Sequence, residues 1–168
     1  MKTEKPTTKI IAGKYKGKIL ELPSLDVTRS SKARLKESLF NVLQFDIIDK
    51  IFIESFAGSG SIGLEAISRG AKRAYFVELD RNSYQILLKN CKAVDMEKCQ
   101  TVQGNTFVQT PLFIDFLKNS QDEIVLYIDP PFDYRDGMED IYEKSFTMIK
   151  NIEVDNIYMI IVEHVSSL

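Results

Sequence analysis

Residues 51–68 read I-F-I-E-S-F-A-G-S-G-S-I-G-L-E-A-I-S, and this stretch decides the fold. It begins with an apolar run that contains β-branched residues, passes through three glycines and ends with apolar residues at helical spacing. This pattern predicts a strand, a loop and a helix in that order. Gly58, Gly60 and Gly63 match G-x-G-x-x-G, in which missing side chains permit a tight turn, close approach of a ligand and close packing of helix on strand.

The next apolar run, residues 74–79, carries an acidic residue near its end, Glu78. A carboxylate at this place can accept hydrogen bonds from both hydroxyls of a ribose. Glycine-rich turns also join strands to helices in proteins where no ligand binds there. In this chain, the three glycines together with Glu78 favour a cofactor that resembles a nucleotide.

Apolar runs and helical patterns alternate along the rest of the chain. Strands are predicted at 51–56, 74–79, 99–103, 124–128 and 157–163, and helices near 60–69, 81–94, 110–118 and 138–150. The alternation predicts an α/β fold, a doubly wound and mainly parallel sheet with helices on both faces. Gly70 is expected to end the first helix, Asp80 or Asn82 to cap the second, and Thr110 followed by Pro111 to begin the third.

Ligands of such sheets bind beyond the carboxyl ends of the strands. Residues 55–60, Glu78, Asn105 and Asp129 are therefore expected to converge at one edge of the sheet. Cys91 and Cys99 are interpreted as small core residues, and His164 as a packing residue at a strand end.

Two short strand-like runs precede the glycine stretch, at residues 10–12 and 19–22. The segment between them reads G-K-Y-K-G at 13–17, which predicts a hairpin with a basic and aromatic tip that suits RNA. A helix over 32–43 follows, with Ser30 or Ser31 as its N-cap. Its buried stripe is predicted to contain Leu35, Leu39, Phe40, Val42 and Leu43. Residues 1–45 are thus expected to form an N-terminal β-hairpin and covering helix of the same domain as residues 46–168.

The charge of the chain is distributed unevenly. The net charge is -2, yet residues 1–36 carry +7 and the remaining 132 residues carry -9. A basic end on an acidic body is typical of proteins that bind phosphates. No secretory signal or membrane span is visible in the sequence, so a cytoplasmic location is expected.

The fourth core strand ends in Asp129-Pro130-Pro131-Phe132. The two prolines fix the backbone and donate no hydrogen bond, so the neighbouring carbonyls and the Asp129 carboxylate remain as acceptors. Acceptors backed by an aromatic ring suit an amino group on a flat ring. A stiff exit from the strand is the alternative interpretation.

These motifs together resemble the class I S-adenosylmethionine-dependent methyltransferases, and within them the RsmD family of bacterial 16S rRNA guanine-N(2) methyltransferases. The resemblance covers most of the chain and rests on five ordered blocks. They are residues 11–18, 28–41, 56–66, 77–80 and 129–132.

The resemblance implies a Rossmann-like fold, S-adenosyl-L-methionine as cofactor, no metal, and a monomer that acts on 16S rRNA or the assembled small subunit. The residues implied to hold the cofactor are Glu54, Phe56, Ala57, Gly58, Ser59, Gly60, Glu78, Leu79, Asn105 and Thr106. The residues implied to hold the target base are Asp129, Pro130, Pro131 and Phe132. The RNA-binding residues predicted from the hairpin tip and the resemblance are Lys14, Tyr15, Lys16, Lys18, Arg29 and Arg34.

The sequence departs from the family pattern at four places. Glu54 stands where the family usually has Asp, Asn105 where Asp is common and Ser30 where Pro is common. The family also continues with a hairpin that completes a seven-stranded sheet, so residues 46–168 are expected to lack the last two strands.

Three alternative functions fit parts of the pattern. A DNA amine methyltransferase shares the Asp-Pro-Pro-aromatic motif, but it needs a target-recognition insert for which the chain has no room. A nicotinamide-dependent oxidoreductase fits the glycines and Glu78 but leaves residues 129–132 and the basic end unexplained. A catalytically incomplete protein that binds S-adenosylmethionine or RNA would keep the fold without turnover.

Overall fold

The computed structural model describes residues 5–23, 29–131 and 138–164. Its strands are β1 (Thr7–Lys9), β2 (Ile19–Glu21), β3 (Ile51–Glu54), β4 (Arg73–Glu78), β5 (Cys99–Gln103), β6 (Ile124–Ile128) and β7 (Ile157–Val162). Its α-helices are α1 (Arg29–Leu43), α2 (Ser61–Ser68), α3 (Arg81–Val94), α4 (Thr106–Leu117) and α5 (Met138–Lys150). All the core strands and helices predicted from residue 51 onward are present.

Five strands form one parallel sheet in the order β5-β4-β3-β6-β7. The order reverses direction at β3, as in a doubly wound sheet, and the strand ends of β4, β3 and β6 are neighbours. The predicted fold class is therefore confirmed.

Alternating residues of each strand point to opposite faces, and each face packs against its own helices. Phe52 of β3 and Phe76 of β4 belong to one core cluster, which contains buried residues of α1, α2 and α3. Ile51 and Ile53 belong to the second cluster, which contains buried residues of α4 and α5. Helices thus cover both faces of the sheet.

The N-terminal hairpin is present, but its first strand lies earlier than predicted. β1 pairs antiparallel with β2 at 7–9, not at 10–12. The backbone N–H groups of Ile11 and Ala12 instead donate to the buried Glu65 carboxylate on α2, at 2.9 and 3.1 Å. Ile10 and Leu20 of the hairpin are buried in the same cluster as Phe52, so the hairpin shares the core of the sheet.

Two helix starts were predicted wrongly. α1 begins at Arg29, so Ser30 and Ser31 lie within its first turn. α4 begins at Thr106, because the Asn105 side chain accepts a hydrogen bond from the Phe107 N–H and caps the helix one turn before Thr110. Pro111 is consequently inside α4.

Other local predictions agree with the structure. Asp80 caps α3 by accepting from the Ser83 N–H at 2.9 Å, and Gly70 follows α2 with φ 114°. Cys91 and Cys99 are free and buried in the first core cluster. Across the described residues, no helix combines the length and apolarity that a membrane span requires.

Candidate functional site

Gly58 and Gly60 lie in the loop between β3 and α2, and Gly63 lies in the first turn of α2. Gly58 and Gly60 have φ of 53° and 81°, a left-handed conformation that side chains disfavour. A Cβ added at Gly60 would lie 2.5 Å from Leu87 Cδ1, and one added at Gly63 would lie 2.3 Å from Phe76 Cε1. A Cβ at Gly58 would meet no heavy atom within 4 Å. Gly63 is therefore required by packing against the Phe76 ring, and Gly60 is favoured by its left-handed φ, whereas Gly58 faces open space.

Glu78 joins the glycine loop to the end of β4. One carboxylate oxygen accepts from the Gly58 N–H at 2.7 Å, and the other accepts from the Asp80 N–H at 2.8 Å. Each carboxylate oxygen has a second lone pair, so Glu78 can still accept hydrogen bonds from a ligand. The side chain sits beside the open space at Gly58.

Glu54, at the end of β3, supports the loop from inside. It is 3% exposed, and its Oε1 accepts from the Gly63 N–H at 3.0 Å. Burial raises the pKa of this carboxyl well above its ordinary value of 4.5, and Asp129 and Glu78 act in the same direction. The Gly63 N–H and Lys36 oppose that increase. Glu54 thus ties the end of β3 to the first turn of α2, directly after the loop.

Asp129 and Pro130 follow β6 at the same edge of the sheet. The Ser55 N–H donates to the Tyr127 carbonyl at 3.0 Å, which continues the pairing of β3 with β6 up to this edge. Asp129 is half-buried, Pro130 is buried and Pro131 is exposed. Phe132 lies outside the described residues. Strand pairing therefore brings the glycine loop, Glu78 and residues 129–130 to neighbouring positions.

Asn105 and Thr106, which the resemblance implies to hold the cofactor, contact residues of this chain. Asn105 caps α4, and buried Thr106 lies 2.8 Å from the Thr110 hydroxyl, which in turn lies 3.0 Å from the Ser55 hydroxyl. Phe56 packs edge-to-face against Phe107 with ring centroids 5.9 Å apart. This hydroxyl chain and ring pair fix the start of α4 against the end of β3.

The predicted RNA-binding lysines of the hairpin, Lys14, Lys16 and Lys18, are exposed, as is Arg34 on α1. Arg29 is the first residue of α1, and its side chain is outside the described part of the structure. Tyr15 is half-buried, and its hydroxyl donates to Asp95 at 2.8 Å. Tyr15 therefore anchors the hairpin, and its stacking on a base stays a prediction.

A buried ion network between α1 and α2 was not predicted from the sequence. Lys36 is 3% exposed, and its ammonium lies 3.4 Å from Glu65 Oε1 and 3.1 Å from the Lys9 carbonyl. Glu65 is fully buried and also accepts from Arg69 Nε at 2.8 Å. Burial lowers the pKa of Lys36, and Glu65 opposes that change. The network ties α1 and the hairpin to the helix that follows the glycine loop.

The position of Lys36 in α1 contains the signal for this network. Lys36 precedes Leu39, Phe40 and Leu43 by three, four and seven residues, so it lies on the buried stripe. Leu35 and Val42, which were predicted to belong to that stripe, are 37% and 73% exposed.

The second residue that sequence reasoning missed is Tyr127 on β6. It is 1% exposed, and its hydroxyl has no hydrogen-bond partner in the described structure. Burial raises the pKa of this phenol, and the carboxylates of Asp129, Glu163 and Glu54 add to the increase. An unpaired polar atom therefore lies in the first core cluster, on a residue two positions before Asp129.

The comparisons with known proteins agree with this geometry. The family model described as "Conserved hypothetical protein 95" matches residues 8–167. Ribosomal RNA small subunit methyltransferase D of Haemophilus influenzae is 38% identical over 133 residues, which are 77% of this chain and 66% of that protein. The protein of the same name from Escherichia coli K12 is 34% identical over 125 residues, 74% of this chain and 60% of that protein.

A solved structure of the Escherichia coli protein yhhF superimposes with a TM-score of 0.67 at 32% identity, covering 94% of this chain and 81% of that one. This chain spans about 60 to 66% of the length of the two curated relatives described above. By sequence and fold, the chain belongs to the Conserved hypothetical protein 95 family, the family of ribosomal RNA small subunit methyltransferase D.

Proposed function

We propose that this protein transfers a methyl group from S-adenosylmethionine to the exocyclic N(2) amine of a guanine in 16S rRNA. The observation that carries the proposal is the meeting of the glycine loop, Glu78 and Asp129-Pro130 at the ends of three adjacent parallel strands. The names of the curated relatives support an rRNA substrate of the small subunit.

The surroundings of Gly58 fit the proposed cofactor. The open space at Gly58 allows a ligand to approach the loop backbone, and Glu78 lies beside that space with acceptor capacity for ribose hydroxyls. S-adenosylmethionine, when bound, supplies a methyl group on a positively charged sulfonium. We propose that Glu54 acts indirectly, by holding the helix turn that follows the loop. The residues we propose to contact the cofactor are Phe56, Ala57, Gly58, Ser59, Gly60, Glu78, Leu79, Asn105 and Thr106.

Asp129 and Pro130 are proposed to orient the target amine. The lone pair of the guanine N(2) atom is delocalised into the ring, which makes this nitrogen a poor nucleophile. If the Asp129 carboxylate and the Pro130 carbonyl accept its two hydrogens, the lone pair is aimed at the methyl group. Phe132 is proposed to stack on the base. Most of the rate enhancement would then come from positioning.

The basic N-terminal region is proposed to bind the RNA around the target. Lys14, Lys16 and Lys18 on the hairpin and Arg34 on α1 are exposed and can neutralise phosphates. Tyr15 and Arg29 complete the set predicted from the sequence. An rRNA substrate places the protein in the cytoplasm, and we propose that it acts as a monomer.

The experiment that tests this function is transfer of labelled methyl from S-adenosylmethionine to small ribosomal subunits that lack the modification. We expect the parent to label RNA, and Asp129→Ala to lose at least about 100-fold in rate because the amine loses its charged acceptor. Asp115→Ala is the matched control, since Asp115 is exposed on α4 and pairs with Lys118.

Three outcomes would contradict the proposal. Equal activity of Asp129→Ala and Asp115→Ala would remove Asp129 from the reaction. Label in adenine or cytosine of DNA, when DNA replaces the subunits in the same assay, would favour the DNA amine methyltransferase. Binding of S-adenosylmethionine by the parent without transfer to any polymer would favour the catalytically incomplete protein.

A further inference from the structure

Basic and acidic helices lie on opposite faces of the sheet. α3 contains three basic residues, Arg81, Lys89 and Lys92, and no acidic residue. It packs on the same face as α1 and the hairpin. On the other face, α4 has one acidic and no basic residue, and α5 has three acidic and two basic residues. The face that carries the hairpin is therefore the one suited to a polyanion.

A groove of about 650 Å³ runs between the hairpin and α3. Its hairpin wall comprises Lys5, Pro6 and residues 21–23, and its α3 wall lies between Asn82 and Lys92. Apolar side chains such as Ile86 and Leu22 line it together with amides and lysines. Among the described residues that line the groove, three are lysines and one, Glu21, is acidic.

The two walls of the groove are held together by one buried side chain. Asn90 of α3 is 3% exposed, and its amide accepts from the Glu21 N–H and donates to the Glu21 carbonyl, both at 2.9 Å. Lys89 adds an ion pair to Glu21 at 3.1 Å. The width of the groove is thus set by the fold.

The same asparagine connects the groove to the glycine loop. Asn90 Nδ2 also donates to the Ser59 carbonyl at 2.8 Å. In addition, Asn82 lies in the first turn of α3, two residues after Asp80, whose N–H donates to Glu78. One end of the groove therefore begins beside the site where we place the methyl donor.

We propose that this groove binds the sugar–phosphate backbone of the RNA that flanks the target guanine. The proposal rests on the proposed function and extends the RNA-binding surface to α3, which the hairpin tip and α1 do not include. Lys5 and Lys92 contact phosphates, while Asn82 and Gln85 donate hydrogen bonds to phosphate or ribose oxygens. The apolar side chains pack against the sugars. The charge of the groove favours a nucleic acid, because Lys5 and Lys92 add to a lining whose acidic residue, Glu21, is already paired with Lys89.

The test compares two double variants in the methyl-transfer assay and in equilibrium binding to small subunits. The first is Lys5→Gln with Lys92→Gln, in the groove. The second, the control, is Lys118→Gln with Lys144→Gln, which makes the same charge change at exposed positions directly after α4 and on α5. Lys89 is left unchanged because it pairs with Glu21.

We expect the groove variant to raise the KM for subunits about tenfold and to reduce the slope of log affinity against log salt by about 1 to 2. The Kd for S-adenosylmethionine stays at the parent value, because neither lysine touches the glycine loop. The control variant keeps the KM and the salt slope of the parent.

Two results would overturn the proposal. Equal KM increases in both variants would indicate a general charge effect, and a groove variant with parental KM and salt slope would show that RNA does not use the groove. Failure of the proposed function is a separate result: if the parent transfers no methyl group, the binding measurements still compare the two variants.

Discussion

The clearest test of the cofactor site is a comparison of alanine at three glycines. Gly58 and Gly17 both have positive φ, 53° and 88°, and a Cβ at either one meets no heavy atom within 4 Å. The two differ in location, because Gly58 is in the loop proposed to hold S-adenosylmethionine and Gly17 is in the hairpin. Gly63 differs from both, since its Cβ would lie 2.3 Å from the buried Phe76 ring.

The expected stabilities follow from these surroundings. Alanine in a left-handed conformation costs about 1–2 kcal/mol, so Gly58→Ala and Gly17→Ala should lower the free energy of unfolding by similar amounts. For a chain of this size that corresponds to a fall in Tm of about 2–8 °C. Gly63→Ala overpacks the core and should cost about 3 kcal/mol, or about 6–12 °C.

The expected affinities separate the two strained variants. The methyl group of Gly58→Ala enters the space proposed for the cofactor and should raise its Kd at least about tenfold, which corresponds to about 1.4 kcal/mol. Gly17→Ala should bind S-adenosylmethionine like the parent. Titration calorimetry and thermal unfolding measure both quantities on the same samples. Equal Kd values for Gly58→Ala and Gly17→Ala would refute the assignment of Gly58 to the cofactor site.

Three further predictions concern the buried polar groups. Lys36→Met leaves Glu65 without one of its buried cations and should lower the free energy of unfolding by about 3–5 kcal/mol. Lys118→Met, in an exposed pair, should lower it by less than about 0.5 kcal/mol. Similar urea midpoints for the two variants would contradict this difference. Tyr127→Phe removes a buried hydroxyl that has no partner in the described structure, so unfolding free energy should stay equal or rise by about 1–2 kcal/mol; a clear loss would show that the hydroxyl has a partner. Because burial raises the pKa of Glu54 above 4.5, its contribution to stability is fully present below pH 4.5 and is lost as the pH rises through the folded-state value. Glu54→Gln should therefore gain stability relative to the parent as the pH increases from 4.5, and a difference that is independent of pH would contradict the raised pKa.

Much of the fold could be predicted because its signals are local. The strand–loop–helix switch at residues 51–68 and the alternation after it depend on periodicity within short windows. The family resemblance, inferred from five motif blocks, is confirmed by the family model and the curated relatives. The helix cap at Asp80 and the helix end at Gly70 were also predicted from neighbouring residues, and both agree with the structure.

The errors occur where a distant contact decides the outcome. Both Asn105 and Thr110 suit a helix start, but Thr110 is held inside α4 by hydroxyl contacts with Thr106 and with Ser55, which is 55 residues away. Likewise, Lys36 was not recognised as buried because its partner Glu65 is on another helix. The orientation of Tyr15 depends on Asp95, which is 80 residues away in the sequence. The stripe position of Lys36 signals burial, but none of these pairings leaves a pattern that identifies the partner in the other segment.

The measurement that tests the account most directly is identification of the methylated nucleoside. Small ribosomal subunits that lack the modification are incubated with the protein and labelled S-adenosylmethionine, and the RNA is digested and analysed by mass spectrometry. We predict N(2)-methylguanosine at a single position of 16S rRNA, absent with Asp129→Ala. Label on another nucleoside, or N(2)-methylguanosine that persists in Asp129→Ala, would contradict the site that we assign at the ends of β4, β3 and β6.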